Sequence, residues 1–255
     1  MTAVGVIGLG DMGSGIAKNL ILNGFETWGR DVIAARHDAF GAMGGHTADS
    51  TAEVSKHAQY VFVMVMKGAE AHEVILGEGG LAENMSPGGT IILTSTIKPA
   101  EARAIATGLD GTGLLLIDSP VSGGYPGAQG GTLTLMAAAP ENILSNARPV
   151  LEAISADIHH VGTQPGEGQV VKACLQSLIG SIFSATFEAA ALAAKAGVPG
   201  QVILDVFSTS SAGSGITNNA IQKIIDRQFE GTGSHINTMH KDLTISMALG
   251  EALGV

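Results

Sequence analysis

Cysteine is almost missing from this chain: Cys174 is the only one among 255 residues, so no disulfide can close within it. A single thiol fits a reducing compartment. Met1 leads straight into an apolar, strand-like run without a basic-then-apolar export signal, and a cytoplasmic location is expected. Charge is scarce as well: Asp, Glu, Lys and Arg make up 14% of the chain, and 13 basic residues face 23 acidic ones for a formal net charge of −10. No Lys/Arg cluster is present, so the electrostatic footprint of a nucleic-acid or anionic-lipid partner is lacking. Long apolar runs are missing too. The longest, over residues 60–66, has the length of a strand, far short of a bilayer span, which leads us to expect a soluble protein without a membrane partner. The histidines His159, His160, His235 and His240 have no metal-ligand spacing, and no metal is expected.

What remains is apolar and glycine-rich, with 45% hydrophobic residues and 36 glycines. A chain of this length buries one large core or two smaller ones. Low charge and many small residues point to apolar surface covered by another subunit, and a homodimer or homotetramer is expected. Strand-like runs at residues 3–7, 27–28, 60–66, 90–94 and 114–117 alternate with segments of helical length, the βαβ pattern of a parallel sheet. After Val161 the pattern changes. Val171, Leu175, Leu178, Ile182 and Phe183 recur at helical spacing and continue into alanine-rich turns, which predicts one long helix, followed by further helices over 216–225 and 240–253. The fold class is therefore α/β: a Rossmann-type doubly wound parallel sheet over residues 1–163, then an all-α domain over 164–255 that begins with the long helix.

The first strand runs directly into Gly8-Leu9-Gly10-Asp11-Met12-Gly13 and then a helical segment. In that context G-x-G-x-x-G predicts a dinucleotide site. Gly8 permits the tight turn, Gly10 lets a pyrophosphate approach the backbone, and Gly13 allows close helix–strand packing, with the phosphate at the helix N-terminus. The second strand ends at Arg30-Asp31. Asp31 sits where an acid receives the adenosine ribose hydroxyls and favours NAD, whereas Arg30 offers a guanidinium to the 2′-phosphate of NADP.

Two further segments carry candidate chemistry. Between the apolar runs ending at Ile117 and resuming at Leu133 lies a glycine-dense loop that includes Ser122-Gly123-Gly124-Tyr125-Pro126-Gly127. Backbone N–H groups at Gly123 and Gly124, beside the Ser122 hydroxyl, suit a carboxylate; a glycine-rich hairpin without a ligand is the plainer reading. Near the start of the long helix, Lys172 and Gln176 are one turn apart and share a face. Taken alone, such a lysine is most often a snorkelling or solvated side chain.

Together, Gly8 to Gly13, the loop after Asp118, the segment Gly166-Glu167-Gly168-Gln169-Val170-Val171-Lys172 and Lys241-Asp242-Leu243 resemble the β-hydroxyacid dehydrogenase family, which includes 3-hydroxyisobutyrate dehydrogenase. Four motifs in the family's order span nearly the whole chain. The resemblance implies an NAD(P)-dependent oxidoreductase acting on CH–OH groups. It implies that Ser122, Gly123 and Gly124 hold the substrate carboxylate and that Lys172 is catalytic. Thr96, Met66 and Lys241 would meet the cofactor alongside Gly8, Leu9, Gly10, Asp11, Met12, Gly13, Arg30 and Asp31. A lysine in that role takes the hydroxyl proton during oxidation, for which its pKa must be depressed, and returns it as ammonium in reduction.

Two departures stand out. Many family members carry Asn one turn after the lysine, where this chain has Gln176; with the Ser-Gly-Gly-Tyr-Pro-Gly-Ala-Gln loop, this looks most like the L-threonate dehydrogenase branch, whose substrates are short sugar acids. The chain also ends inside a predicted helix where family members continue, so final helices are expected to be missing. Rival readings are 3-hydroxyisobutyrate dehydrogenase or a tartronate semialdehyde/glyoxylate-type reductase. An imine reductase or a non-catalytic dinucleotide-binding module stands further off, because both are expected to lack Lys172.

Overall fold

The computed structural model describes residues 2–231 and 235–255. The first half alternates strand and helix in the order β1 (Ala3–Ile7), α1 (Asp11–Leu22), β2 (Glu26–Arg30), α2 (Ala34–Ala42), β3 (His46–Thr47), α3 (Thr51–His57), β4 (Tyr60–Val63), α4 (Gly68–Leu76), α5 (Leu81–Asn84), β5 (Thr90–Leu93), α6 (Pro99–Gly108) and β6 (Leu115–Asp118). There follow β7 (Val121–Ser122), α7 (Gly124–Gly130), β8 (Leu133–Ala138), α8 (Glu141–Glu152) and β9 (Ser155–Gly162). The last stretch is helical: α9 (Glu167–Lys195), α10 (Gly200–Thr209), α11 (Gly215–Ile225) and α12 (Ile236–Leu253).

The strands form one sheet in the order β3-β2-β1-β4-β5-β6-β8-β7, with β9 paired to β8. Strands β1 to β6 pair with one another in parallel, so the Rossmann-type reading holds, and its crossovers place helices on both faces. Valines and isoleucines such as Val4, Val61, Ile91 and Ile92 are fully buried, as strands covered on both faces require. One apolar cluster gathers Ile16, Leu20, Phe62, Ile117 and Leu144 on one side of the sheet, and another gathers Val54, Val63, Ile75, Leu93 and Ile105 on the other.

Three local expectations change. The strand expected over 60–66 ends at Val63, since the N–H of Val65 leaves the ladder and donates to the Ser95 hydroxyl at 2.8 Å. The segment between β6 and β8 is not one open loop: it holds β7, paired antiparallel with β8, and the short helix α7. Gly123 makes this possible, because its φ of 124° closes the turn into α7 in a region that L side chains rarely adopt. Strand β9 is not evident from sequence, because Asp157, His159 and His160 interrupt any apolar alternation; it is an edge strand held to β8 by its backbone.

The chain divides into two compact units, 1–172 and 173–255. The first turns of α9 therefore belong with the sheet. In the helical unit, Gly180 packs under Leu243, and Ser246 Oγ donates to the Ala173 carbonyl at 2.8 Å, so α12 lies along α9. The apolar stripe that predicts α9 is turned inward only in part: Leu175, Ile182 and Phe183 are half-buried. Val171 and Leu178 are exposed, while the buried positions of its first turns are Gln169, Lys172, Ala173 and Gln176. No membrane-length helix is evident from uninterrupted apolar runs, yet α9 is long and apolar enough to cross a bilayer by length and composition. Its 29 residues spread apolarity over many Ala, Gly and Ser, and 11% of its most apolar window is buried.

Candidate active site

The glycine motif forms the expected β-turn-α bend between β1 and α1. Gly8 has φ +92°, and a Cβ placed on Gly13 would run into the Gly8 carbonyl oxygen, so neither position admits a side chain without moving the turn. Gly10 is different. A Cβ there would meet no backbone atom at close range; its nearest atoms belong to the Arg36 guanidinium at 3.6 Å. No backbone atom blocks the face that a pyrophosphate must approach, an arginine stands beside it, and the residues present fit a dinucleotide. Leu9 is buried, Met12 is half-buried, and Asp11 is exposed as the first residue of α1.

Asp31 lies just past β2 and is buried. Burial alone would raise its pKa, but the N–H groups of Ile33 and Leu9 and the Arg36 guanidinium together hold it below the ordinary carboxylate range. Arg30 Nη1 lies 3.3 Å from His37 Nε2. Neither Arg36 nor His37 is evident as a site residue from sequence, since both are in α2 and only the fold brings them back to the end of β2.

The most constrained part of the unit is a buried polar network at the carboxyl ends of β4, β5 and β6. Asp118 Oδ2 accepts from Gly166 N–H at 2.8 Å and from Gln169 N–H at 3.4 Å, and Oδ1 accepts from Gln169 Nε2 at 2.7 Å. Gln169 Nε2 also donates to the Ser95 carbonyl at 3.0 Å, and its Oε1 accepts from Ile97 N–H at 3.0 Å. Ser95 Oγ in turn accepts from Val65 N–H. One glutamine of α9 therefore ties the segment holding Thr96 to Asp118, where the chain enters the Ser122 region. Lys172 is three residues further along the same helix and is 6% exposed. Gly168 lets this helix start lie against Asp118 and Pro120, because a Cβ there would come within 3.0 Å of both. Burial pushes the Asp118 carboxyl up to about 6 despite these donors.

Ser122 ends β7, Gly123 makes the turn, and Gly124 opens α7. That helix is cemented to α1: Gly15 abuts the Ala128 carbonyl, Asn19 Nδ2 donates to it at 2.8 Å, and Gln129 Nε2 donates to Ser14 Oγ at 3.3 Å. The dinucleotide helix and the Ser-Gly-Gly segment are thereby held in one rigid arrangement. Thr96 is half-buried. Met66 lies in the loop after β4 with 53% of its surface exposed.

The remaining candidates belong to the helical unit. Gln176 Nε2 donates to Asp242 Oδ2 at 2.6 Å, and Lys241 Nζ lies 3.1 Å from Asp242 Oδ1, an ion-pair distance without hydrogen-bond geometry. Among the described residues no group of three His, Cys, Asp or Glu gathers as a metal-ion set. Two open cavities, of about 350 Å³ by Ser55 to Gln59 and about 520 Å³ between α9 and the Phe207 to Thr217 segment, are lined by none of the candidates.

A Rossmann sheet with an open glycine turn, followed by a helical unit, defines an NAD(P)-dependent oxidoreductase. Residues 3–162 match the family model of the NAD-binding domain of 6-phosphogluconate dehydrogenase, and residues 166–255 match that described as the NAD-binding of NADP-dependent 3-hydroxyisobutyrate dehydrogenase. The chain is 35% identical over 253 residues to an L-threonate dehydrogenase of Escherichia coli, covering 98% of this chain and 83% of that protein. It is 32% identical to a 3-hydroxyisobutyrate dehydrogenase of Pseudomonas aeruginosa, covering 99% and 87%. A crystal structure of 3-hydroxyisobutyrate dehydrogenase from Salmonella typhimurium superposes with a TM-score of 0.90 at 33% identity, over 99% of this chain and 88% of that one. The chain belongs to the 3-hydroxyisobutyrate dehydrogenase family of NAD(P)-dependent hydroxyacid dehydrogenases.

Proposed function

We propose that this enzyme oxidises the alcohol of a short sugar acid, L-threonate or a related four-carbon acid, with Lys172 as the proton-transferring group. The observation that carries the reading is the buried anchor under Lys172: Asp118, Gln169 and Ser95 hold the start of α9 against the ends of β5 and β6. A proton-transfer group needs such fixed geometry more than it needs any single contact. When bound, the nicotinamide supplies the two-electron acceptor for the alcohol carbon. Lys172 Nζ takes the proton of the substrate hydroxyl, and in reduction gives it back. Ser122 and the N–H groups of Gly123 and Gly124 hold the carboxylate, Thr96 and Met66 border the cofactor with the Gly8–Gly13 turn, and Lys241 is proposed as a further cofactor contact.

The substrate subgroup is supported by Gln176. A carboxylate accepts only, so the amide turns its NH2 towards Asp242 and its Oε1 is the end that can accept. An acceptor there suits a substrate hydroxyl and disfavours a second carboxylate. The similarity to L-threonate dehydrogenases points the same way. A panel of C3 to C6 hydroxy acids assayed with NAD and NADP tests the reading. L-Threonate is expected to give the highest kcat/KM, and a preference for 3-hydroxyisobutyrate or for an imine would overturn the substrate assignment.

The working form is a homodimer or homotetramer. Leu178, Phe187 and Leu192 of α9 are exposed, and large apolar side chains left in solvent along a helix suit burial against a second subunit. Light scattering at micromolar concentration is expected to give at least twice the chain's 25.8 kDa; a monomer mass would refute it. The single thiol suits a reducing cytoplasm.

A further inference from the structure

Asp31 is the group proposed to receive the adenosine ribose, yet its carboxylate is already occupied. Oδ2 accepts from Leu9 N–H at 2.7 Å and Oδ1 from Ile33 N–H at 2.9 Å, while Arg36 Nη1 bridges both oxygens at 3.1 and 3.2 Å. A carboxylate offers about four acceptor positions, so a ribose diol finds none open while Arg36 stays in place. The two backbone donors are built into the glycine turn and the β2–α2 connection. Arg36 is the solvent-facing partner: its side chain is 42% exposed, against 3% for Asp31. Its guanidinium is the group nearest to the place where Gly10 would carry a Cβ, at 3.6 Å.

A second guanidinium stands nearby. Arg30 Nη1 approaches His37 Nε2, and the same ring nitrogen accepts the Asp31 N–H at 2.9 Å. That nitrogen accepts the backbone N–H through its lone pair. One guanidinium therefore pairs with the carboxylate and a second lies on the neighbouring His37, where NAD presents a diol and NADP presents a dianionic phosphate. An unpaired aspartate at this position repels the phosphate. Asp31 paired with Arg36 does not, and the planar guanidinium fork of Arg36 matches the geometry of a phosphate.

We infer that Arg36 sets the cofactor preference of this enzyme. By neutralising Asp31 and offering its fork to the 2′-phosphate it admits NADP, and by competing with the ribose diol for Asp31 it weakens NAD, so the protein binds both dinucleotides. This rests on Asp31 being the ribose-facing acid of the cofactor site.

Isothermal titration of the purified full chain with NAD and with NADP, without substrate, separates the outcomes. In Arg36→Ala and Arg36→Gln the Kd for NADP is expected to rise about tenfold or more, while that for NAD stays level or falls. The NADP affinity of the unsubstituted protein is also expected to fall more steeply with salt than that of either variant. An NADP-to-NAD ratio within about threefold of the starting value in both variants overturns the inference. So does a parallel loss of both dinucleotides, since Arg36 would then merely brace the turn. Arg36→Gln keeps most of the stem packing and decides the matter if the alanine variant does not fold. Failure of the unsubstituted protein to bind either dinucleotide would instead overturn the cofactor site itself.

Discussion

Lys172→Ala is expected to abolish turnover, by about 10²- to 10⁴-fold in kcat, while the Kd for NAD changes little. The separation follows from where the residue stands. The glycine turn, Asp31 and Arg36 are built from residues 8–36, and the hydrogen bonds that hold Asp31 come from Leu9, Ile33 and Arg36 rather than from α9. Lys172 follows the Gln169 anchor by three residues, and its loss removes an amine without removing any member of that network. Lys172→Arg should be nearly as inactive, because a guanidinium keeps the charge but does not release its proton at any ordinary pH. Steady-state rates combined with titration calorimetry check both variants. Turnover within tenfold of the unsubstituted enzyme in Lys172→Ala would remove this lysine from the reaction.

Asp118→Asn is expected to alter the pH dependence of stability and to slow the reaction. The folded protein raises this carboxyl from its ordinary value near 3.8 to about 6. Between those two values the folded state holds a proton that the unfolded state has lost. Stability from this group is therefore greatest below the unfolded value and declines as pH rises through about 6, by about 3 kcal/mol in all. Asparagine has no such titration, so urea unfolding at pH 4.5, 5.5 and 7 should lose this component of the slope in the variant. Equal slopes in the two proteins would contradict the assignment.

The kinetic effect of the same substitution comes from hydrogen-bond polarity. Gln169 cannot reverse its amide, since Oε1 is taken by Ile97 N–H and Nε2 by the Ser95 carbonyl. Asparagine must then point its own NH2 at either Gly166 N–H or Gln169 Nε2, leaving a buried donor facing a donor at a cost of about 1 to 3 kcal/mol. The first turn of α9 shifts to relieve it, and Lys172 shifts with it. A kcat reduced by about tenfold with an unchanged Kd for NAD is the expected signature of a positioning residue.

The glycine turn was legible because its requirement is local: Gly8 needs a positive φ and Gly13 needs the absence of a Cβ, and both are properties of six consecutive residues. The alternation of strands and helices was legible for the same reason, since β1, β4, β5 and β6 are short apolar runs bounded by turns. Helix α9 was legible as a helix but not in its orientation. Periodicity marks an apolar face without saying whether the chain itself covers it, and here the buried face carries Gln169, Lys172 and Gln176. Helix α7 was hidden because glycines that mark a turn also permit a short helix once Ala128 is pinned to Asn19.

The chain's own order of residues thus determined its class: a dinucleotide turn at the start, a parallel sheet, a lysine near the head of a long helix. Only the tertiary structure decided what those groups are bonded to. Asp118 and Gln169 are 51 residues apart, Gln176 and Asp242 are 66 apart, and Asp31 meets Arg36 only because α2 folds back over the end of β2. Short-range sterics and periodicity act between neighbours in sequence and can be read along the chain. Hydrogen-bond saturation of a buried carboxylate depends on which distant donors packing delivers to it, and packing is a property of the whole fold.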